Sequence, residues 1–208
     1  MYKAIVFDWD ETIVDSFYSI FEIHNAVALK LGFKKVGLKK FLTGWSKPWE
    51  VMVKTVWPGA DFMKFKRHAF IERRKRKYKA IKGAVRVLNE LSKKYELGLI
   101  TNSHLKIVKL DALDIGFDLK VFKFKMTAEK SKFRKPDARE FDFVLKKFSK
   151  NEVLYVGDDL IDALFAKNAG VDFVAVLTGR TSKTEFKKLG VKNILGSVAE
   201  LKDFLRTN

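Results

Sequence analysis

The sequence contains no cysteine and no glutamine. Without cysteine the chain can form no disulfide, no thiolate nucleophile and no cysteine metal site. No stretch approaches the roughly 18 consecutive apolar residues of a membrane-spanning helix. The start of the chain holds Lys3, the short apolar run Ala4–Phe7 and then carboxylates, which is not the pattern of a secretory signal. The expectation is a cytoplasmic protein with no membrane partner. Negative charge is also scarce, with 25 Asp and Glu against 42 Lys and Arg, a net charge of +17. Such a balance attracts anions: phosphorylated metabolites, nucleic acid or acidic lipid. Abundant lysine without Gln or Cys equally fits a thermophile-style surface. Charge governs association and not fold, so both readings stand.

At 208 residues, with 47% hydrophobic residues and 19 Phe, the chain can bury a substantial core. Its length suits one large domain or one domain with an insertion. It is organised around Phe7–Ser16, where the partly β-branched run Ala4–Phe7 reads as a buried strand. Four carboxylates follow: Asp8, Asp10, Glu11 and Asp15. In open α/β sheets the carboxyl ends of strands are where ligands bind. Asp8 and Asp10, two apart on an extended strand, point to the same side. Two crowded carboxylates repel unless a cation or shared protons relieve them. A hard, oxygen-preferring ion such as Mg²⁺ would do so. The alternative is an acidic turn in which Asp10 or Thr12 caps the next segment.

Apolar residues recur at helical spacing from Ser16 to Leu31, and further helical pieces read over Val36–Leu42, Pro48–Val56 and Asp61–Tyr78. Gly44, Pro48 and Pro58-Gly59 break them. No strand pattern stands out between Ser16 and Lys82, so residues 16–82 read as a helical insertion. Strands then alternate with helices. Glu96–Thr101, Val153–Val156, Phe173–Leu177 and Lys192–Leu195 read as strands, and Leu119–Met126 as a strand or edge segment. The alternation predicts an α/β fold: a Rossmann-like parallel sheet with helices on both faces, built from 1–15 and 83–208, plus the inserted α-helical segment.

Four groups of chemically active residues follow: Asp8/Asp10, Thr101-Asn102, Lys135-Pro136 and Asp158/Asp162. Three of them follow a predicted strand, and strand ends in a parallel sheet share one edge. Taken singly, Thr101 could be a helix cap, Lys135 one lysine among many, Asp158 and Asp159 N-caps, and Asp162 a surface carboxylate.

In order and together they resemble the haloacid dehalogenase superfamily. Asp8-Trp9-Asp10-Glu11-Thr12 is similar to its first motif and Leu-Ile-Thr101-Asn102 to its second. Lys135 in Arg-Lys-Pro-Asp is similar to the third, and Gly157-Asp158-Asp159-Leu160-Ile161-Asp162 to the fourth. The insertion is placed like the helical cap of the phosphoglycolate phosphatase-like branch. The resemblance implies a Mg²⁺-dependent phosphatase that hydrolyses a small phosphomonoester through an aspartyl-phosphate, with 2-phosphoglycolate one candidate. It implies Asp8 as nucleophile and Asp10 as general acid and base. It implies metal ligation by Asp8, the Asp10 carbonyl and Asp158, with Asp162 as an outer partner. It implies phosphate binding by Thr101, Asn102 and Lys135, the lysine also neutralising charge in the chemical step. Glu11, where glycine is common, and Trp9, where a smaller residue is common, depart from the pattern.

The implied cap would choose the substrate. Its Arg73–Lys77 run reads either as a solvated face or as a basic lid. The run also leaves a nucleic-acid partner open, although no base-reading motif accompanies it. His24 and His68 read as packing or surface residues. A phosphomutase, or a basic anion-binding protein on the same fold, are the alternative functions, and monomer and homodimer remain equally compatible.

Overall fold

The computed structural model describes residues Met1–Thr207. Strand β1, Ala4–Phe7, is buried at every position. It leads to a two-residue strand, β2, Val14–Asp15. Four helices follow: α1 (Phe17–Lys30), α2 (Leu38–Leu42), α3 (Trp49–Val56) and α4 (Phe62–Arg73). After β3 (Lys79–Ala80) the chain alternates: α5 (Ala84–Leu91), β4 (Glu96–Ile100), α6 (Leu105–Asp114), β5 (Phe122–Met126), α7 (Asp142–Leu145) and β6 (Val153–Gly157). It ends with α8 (Leu160–Ala169), β7 (Asp172–Val176), α9 (Lys183–Lys188), β8 (Asn193–Leu195) and α10 (Leu201–Thr207).

The six longer strands form one sheet in the order β5-β4-β1-β6-β7-β8, and every pairing is parallel. Parallel neighbours need a crossover, usually a helix, so helices cover the faces and strands become buried on both sides. β1 and β6 show this directly, since every residue in each is buried. The structure is the Rossmann-like α/β fold expected from the alternation. The β4–β5 pairing needs a glycine, because a Cβ at Gly98 would stand 1.8 Å from the Phe124 ring. Registration aligns Phe7 with Leu99 of β4 and Val156 of β6. The carboxyl ends of these three strands therefore lie side by side.

Contacts divide the chain into two compact units, Met1–Asp15 with Lys79 onward, and Ser16–Tyr78. Contrary to the sequence pattern, a strand lies between Ser16 and Lys82. Lys79–Ala80 pairs antiparallel with Val14–Asp15 in a separate two-stranded ribbon, and residues 79–82 belong to the unit that holds the six-stranded sheet. A ribbon two residues wide is too short to show the alternation that marks a strand.

The helical unit is centred on His24. Its ring lies 5.4 Å from Phe65, 5.8 Å from Phe41 and stacks on Trp57 at 6.4 Å. Trp49 Nε1 donates to His24 Nε2 at 2.8 Å. That assignment leaves the proton on Nδ1, which donates to the Ile20 carbonyl at 2.7 Å. Asp61 caps α4 by accepting from the Lys64 amide at 3.0 Å. The basic run is partly internal: Arg73 is buried, donates to the Arg76 carbonyl and lies 3.6 Å over the Tyr78 ring. Buried Glu72 pairs with Lys30 and with Lys75.

Candidate active site

The last ladder bond of β1 fixes Asp8: its amide donates to the Val156 carbonyl at 2.9 Å. The Asp8 side chain is buried. Lys135 Nζ stands 2.8 Å from Asp8 Oδ1 and 2.6 Å from Asp162 Oδ1. Tyr155, from inside β6, donates its hydroxyl to Asp162 Oδ1 at 3.0 Å and accepts from Lys135 Nζ at 3.2 Å.

Asp162 is fully buried, so it is not a surface carboxylate. Its Oδ2 accepts from the amides of Asp158 and Asp159 at 3.2 and 3.1 Å. Asp159 supplies the N-cap of α8, accepting from the Ile161 amide. This division frees Asp158 for other work. Its Oδ1 accepts from Thr12 Oγ1 at 2.9 Å, and its Oδ2 abuts Gly179, where a Cβ would fall 1.9 Å away.

One carboxylate oxygen from each of Asp8, Asp158 and Asp162 lies within 4.8 Å of the others. Lys135 is the buried cation of this cluster. Burial pushes the Asp8 carboxyl up to about 7, with Lys135 pulling it down and Asp162 pushing it further up. Burial also raises Asp158 well above the usual carboxylate range, with Asp162 and Asp8 adding to the effect. Burial alone would lower Lys135, but Asp162 and Asp8 outweigh it and hold the ammonium charged.

Asp10 sits on the loop after β1, and its Oδ2 accepts from Ser103 Oγ. Ser103 belongs to the turn between β4 and α6. Its amide donates to Thr101 Oγ1 at 3.1 Å and its carbonyl accepts from the Ala128 amide at 3.0 Å. Thr101 is buried and accepts that bond, so its own hydroxyl hydrogen remains a donor. Asn102 Oδ1 is buried without a hydrogen-bond partner among the described residues.

Contacts join Asp8, Lys135, Asp158 and Asp162 into one cluster, and join Asp10 to the Thr101 turn. The Asn102 side chain is joined to neither. Ser103 and Tyr155 were not singled out for roles in the sequence, and Thr12 was read only as an alternative cap, although each carries part of the network. Their signals are faint: a second hydroxyl two residues after Thr101, an aromatic in an otherwise aliphatic strand, and a threonine within the first motif. Trp9, on the opposite side of the strand path, is buried in packing, with Nε1 donating to Asp111 Oδ2 at 2.9 Å. Glu11 lies at φ 55°. Its carboxylate faces Arg180 at 3.8 Å and its carbonyl accepts from Thr178.

A Rossmann-like parallel sheet with a buried carboxylate and lysine cluster at its strand ends is an α/β fold with a charged candidate site. The chain belongs to the haloacid dehalogenase-like hydrolase family, whose sequence profile matches residues 5–176. A search of curated proteins returns no significant match. Solved structures share the fold. A predicted phosphoglycolate phosphatase from Haemophilus somnus is 20% identical with a TM-score of 0.85, over 98% of each chain. CbbY from Rhodobacter sphaeroides, in complex with phosphate, is 17% identical with a TM-score of 0.80, over 97% of this chain and 96% of that one. A chain from Thermotoga maritima, provisionally assigned as a β-phosphoglucomutase, is 19% identical with a TM-score of 0.75, over 99% of each chain.

Proposed function

We propose that the protein is a Mg²⁺-dependent phosphatase that hydrolyses a small phosphomonoester by way of a phosphorylated Asp8. The observation that carries this is the buried Asp8–Lys135 pair inside an acid cluster, with Asp10 two residues onward held by Ser103.

The site suits a hard dication. Its donors are carboxylate oxygens, and three buried acids outnumber the ammonium among them. Asp8, Asp158 and the Asp10 carbonyl would hold the ion, while Asp162 is already occupied by Lys135, Tyr155 and two amides. Bound Mg²⁺ offsets the repulsion between carboxylate and phosphate.

The chain's own groups supply the rest. The Asp8 carboxylate attacks phosphorus, and the bond to the ester oxygen breaks. Asp10 gives its proton to that departing oxygen. Water then attacks the phosphorus of phospho-Asp8, Asp10 takes the water's proton, and phosphate leaves with Asp8 restored. Lys135 and the Thr101 hydroxyl, with the Asn102 amide, hold the phosphoryl oxygens. A cytoplasmic setting and a phosphorylated metabolite as partner go with this reading, and 2-phosphoglycolate is one candidate ester. A phosphomutase would use the same Asp8 and Asp10 but return the phosphoryl group to a sugar phosphate.

The test is phosphate release from a panel of monoesters, with Mg²⁺ and with chelator, for wild type and Asp8→Asn side by side. Metal-dependent release that the variant loses, with its fold retained, is the expected result. Release by Asp8→Asn at the wild-type rate would remove Asp8 as nucleophile. Interconversion of sugar phosphates without net release would establish the mutase instead.

A further inference from the structure

We infer that Ser103 is the residue that positions Asp10 for proton transfer to the departing oxygen. The inference rests on the phosphatase reading and deepens it. An aspartate carboxyl on a loop has two soft torsions, and proton transfer requires it held within hydrogen-bond reach of one oxygen. Asp10 lies beyond the end of β1, on a loop, so the sheet that fixes Asp8 does not fix its side chain. Ser103 supplies that restraint by donating Oγ–H to Asp10 Oδ2.

The serine is itself anchored twice through its backbone, once to Thr101 Oγ1 and once to the Ala128 amide. The turn that would bind phosphate therefore also holds the acid. The carboxyl restrained by serine presents its proton to the departing oxygen. In the first step the phosphorus–oxygen bond breaks while that proton moves to the leaving oxygen, giving an alcohol and an ionised Asp10. Ser103 then donates to a full carboxylate, a stronger bond than to the neutral acid. The same contact keeps Asp10 in place to act as the base for water in the second step.

The test compares Ser103→Ala and Ser103→Thr with wild type on two probes: p-nitrophenyl phosphate, whose leaving group needs little protonation, and the alkyl monoester ranked first in the panel. For Ser103→Ala, kcat/KM toward the alkyl ester is expected to fall about 10- to 100-fold, a share of the usual general-acid contribution. Toward p-nitrophenyl phosphate the fall is expected to be roughly threefold or less, because little acid catalysis is at stake there. Ser103→Thr keeps a hydroxyl and is expected to restore most of the alkyl-ester rate.

Equal losses on both probes, or no loss on either, would overturn the inference. A crystal structure of Ser103→Ala gives a readout independent of turnover. Asp10 spread over several rotamers supports the positioning role, and a single unchanged rotamer refutes it. If wild type releases no phosphate from any ester, the phosphatase reading fails, and the Asp10 rotamer still decides whether serine restrains it.

Discussion

Asp8 and Lys135 show how one residue's surroundings set both chemistry and stability. Burial pushes the Asp8 carboxyl up to about 7, above its ordinary 3.8. A carboxyl raised on folding stabilises the fold fully below its unfolded value, and that contribution is lost as pH rises through the folded value. In chelator, wild type is therefore expected to lose stability relative to Asp8→Asn between pH 4 and 8. The ceiling is on the order of 4 kcal/mol. Denaturant melts of both proteins across that range check it, and a gap that stays constant with pH would show Asp8 ionised throughout. Asp8, Asp10 and Lys135 were legible in the sequence because motif order brought them together. Ser103 and Tyr155 were not, since a hydroxyl reveals its partner only when the chain has folded back on itself. Asp162 was legible as a position but not as a burial state, because a carboxylate in the first turn of a helix reads equally well as a surface residue.

Among the elements, the strands were the most readable. β1, β4, β6 and β7 are short apolar runs ending in polar turns, and the structure places each where the alternation puts it. The ribbon β2–β3 was invisible, being two residues on each side. In the helical unit, α4 ends at Arg73, five residues earlier than the apolar pattern suggested, because Arg73 turns back onto the Arg76 carbonyl and the Tyr78 ring. The packing of α1 around His24 makes a testable statement about this unit. Burial lowers His24 to about 4, with the bond to Ile20 opposing. A histidine depressed on folding stabilises the fold above its unfolded value near 6.5, and the contribution is lost as pH falls through 4. It amounts to about 3 kcal/mol. Proton NMR of the ring hydrogens is expected to show His24 silent from pH 8 to pH 5. A midpoint near 6.5 would mean that the ring is open to water.

Over the whole molecule the charge is unevenly divided. The helical stretch 16–78 carries fifteen of the Lys and Arg residues and four of the Asp and Glu residues. Each of those four acids is engaged: Glu22 with Arg76, Glu50 with Lys54, Asp61 as a cap and Glu72 with two lysines. The surplus is therefore left facing solvent and raises the local concentration of anions. If it serves substrate capture, kcat/KM for a doubly charged ester is expected to fall several-fold between 20 and 200 mM salt, roughly as the Debye length shortens. A salt-independent kcat/KM would assign the charge to solvation alone. Among the described residues no helix is long and apolar enough to cross a membrane. The placement of β1 at the middle of the sheet has a last consequence. Asp8 is tied by its own amide to β6, on a strand flanked by neighbours on both edges. The Asp8 backbone is held in place while the rest of the sheet stays whole. A half-denatured sample should then be a mixture of fully competent and fully dead molecules, so that residual turnover becomes a census of intact chains.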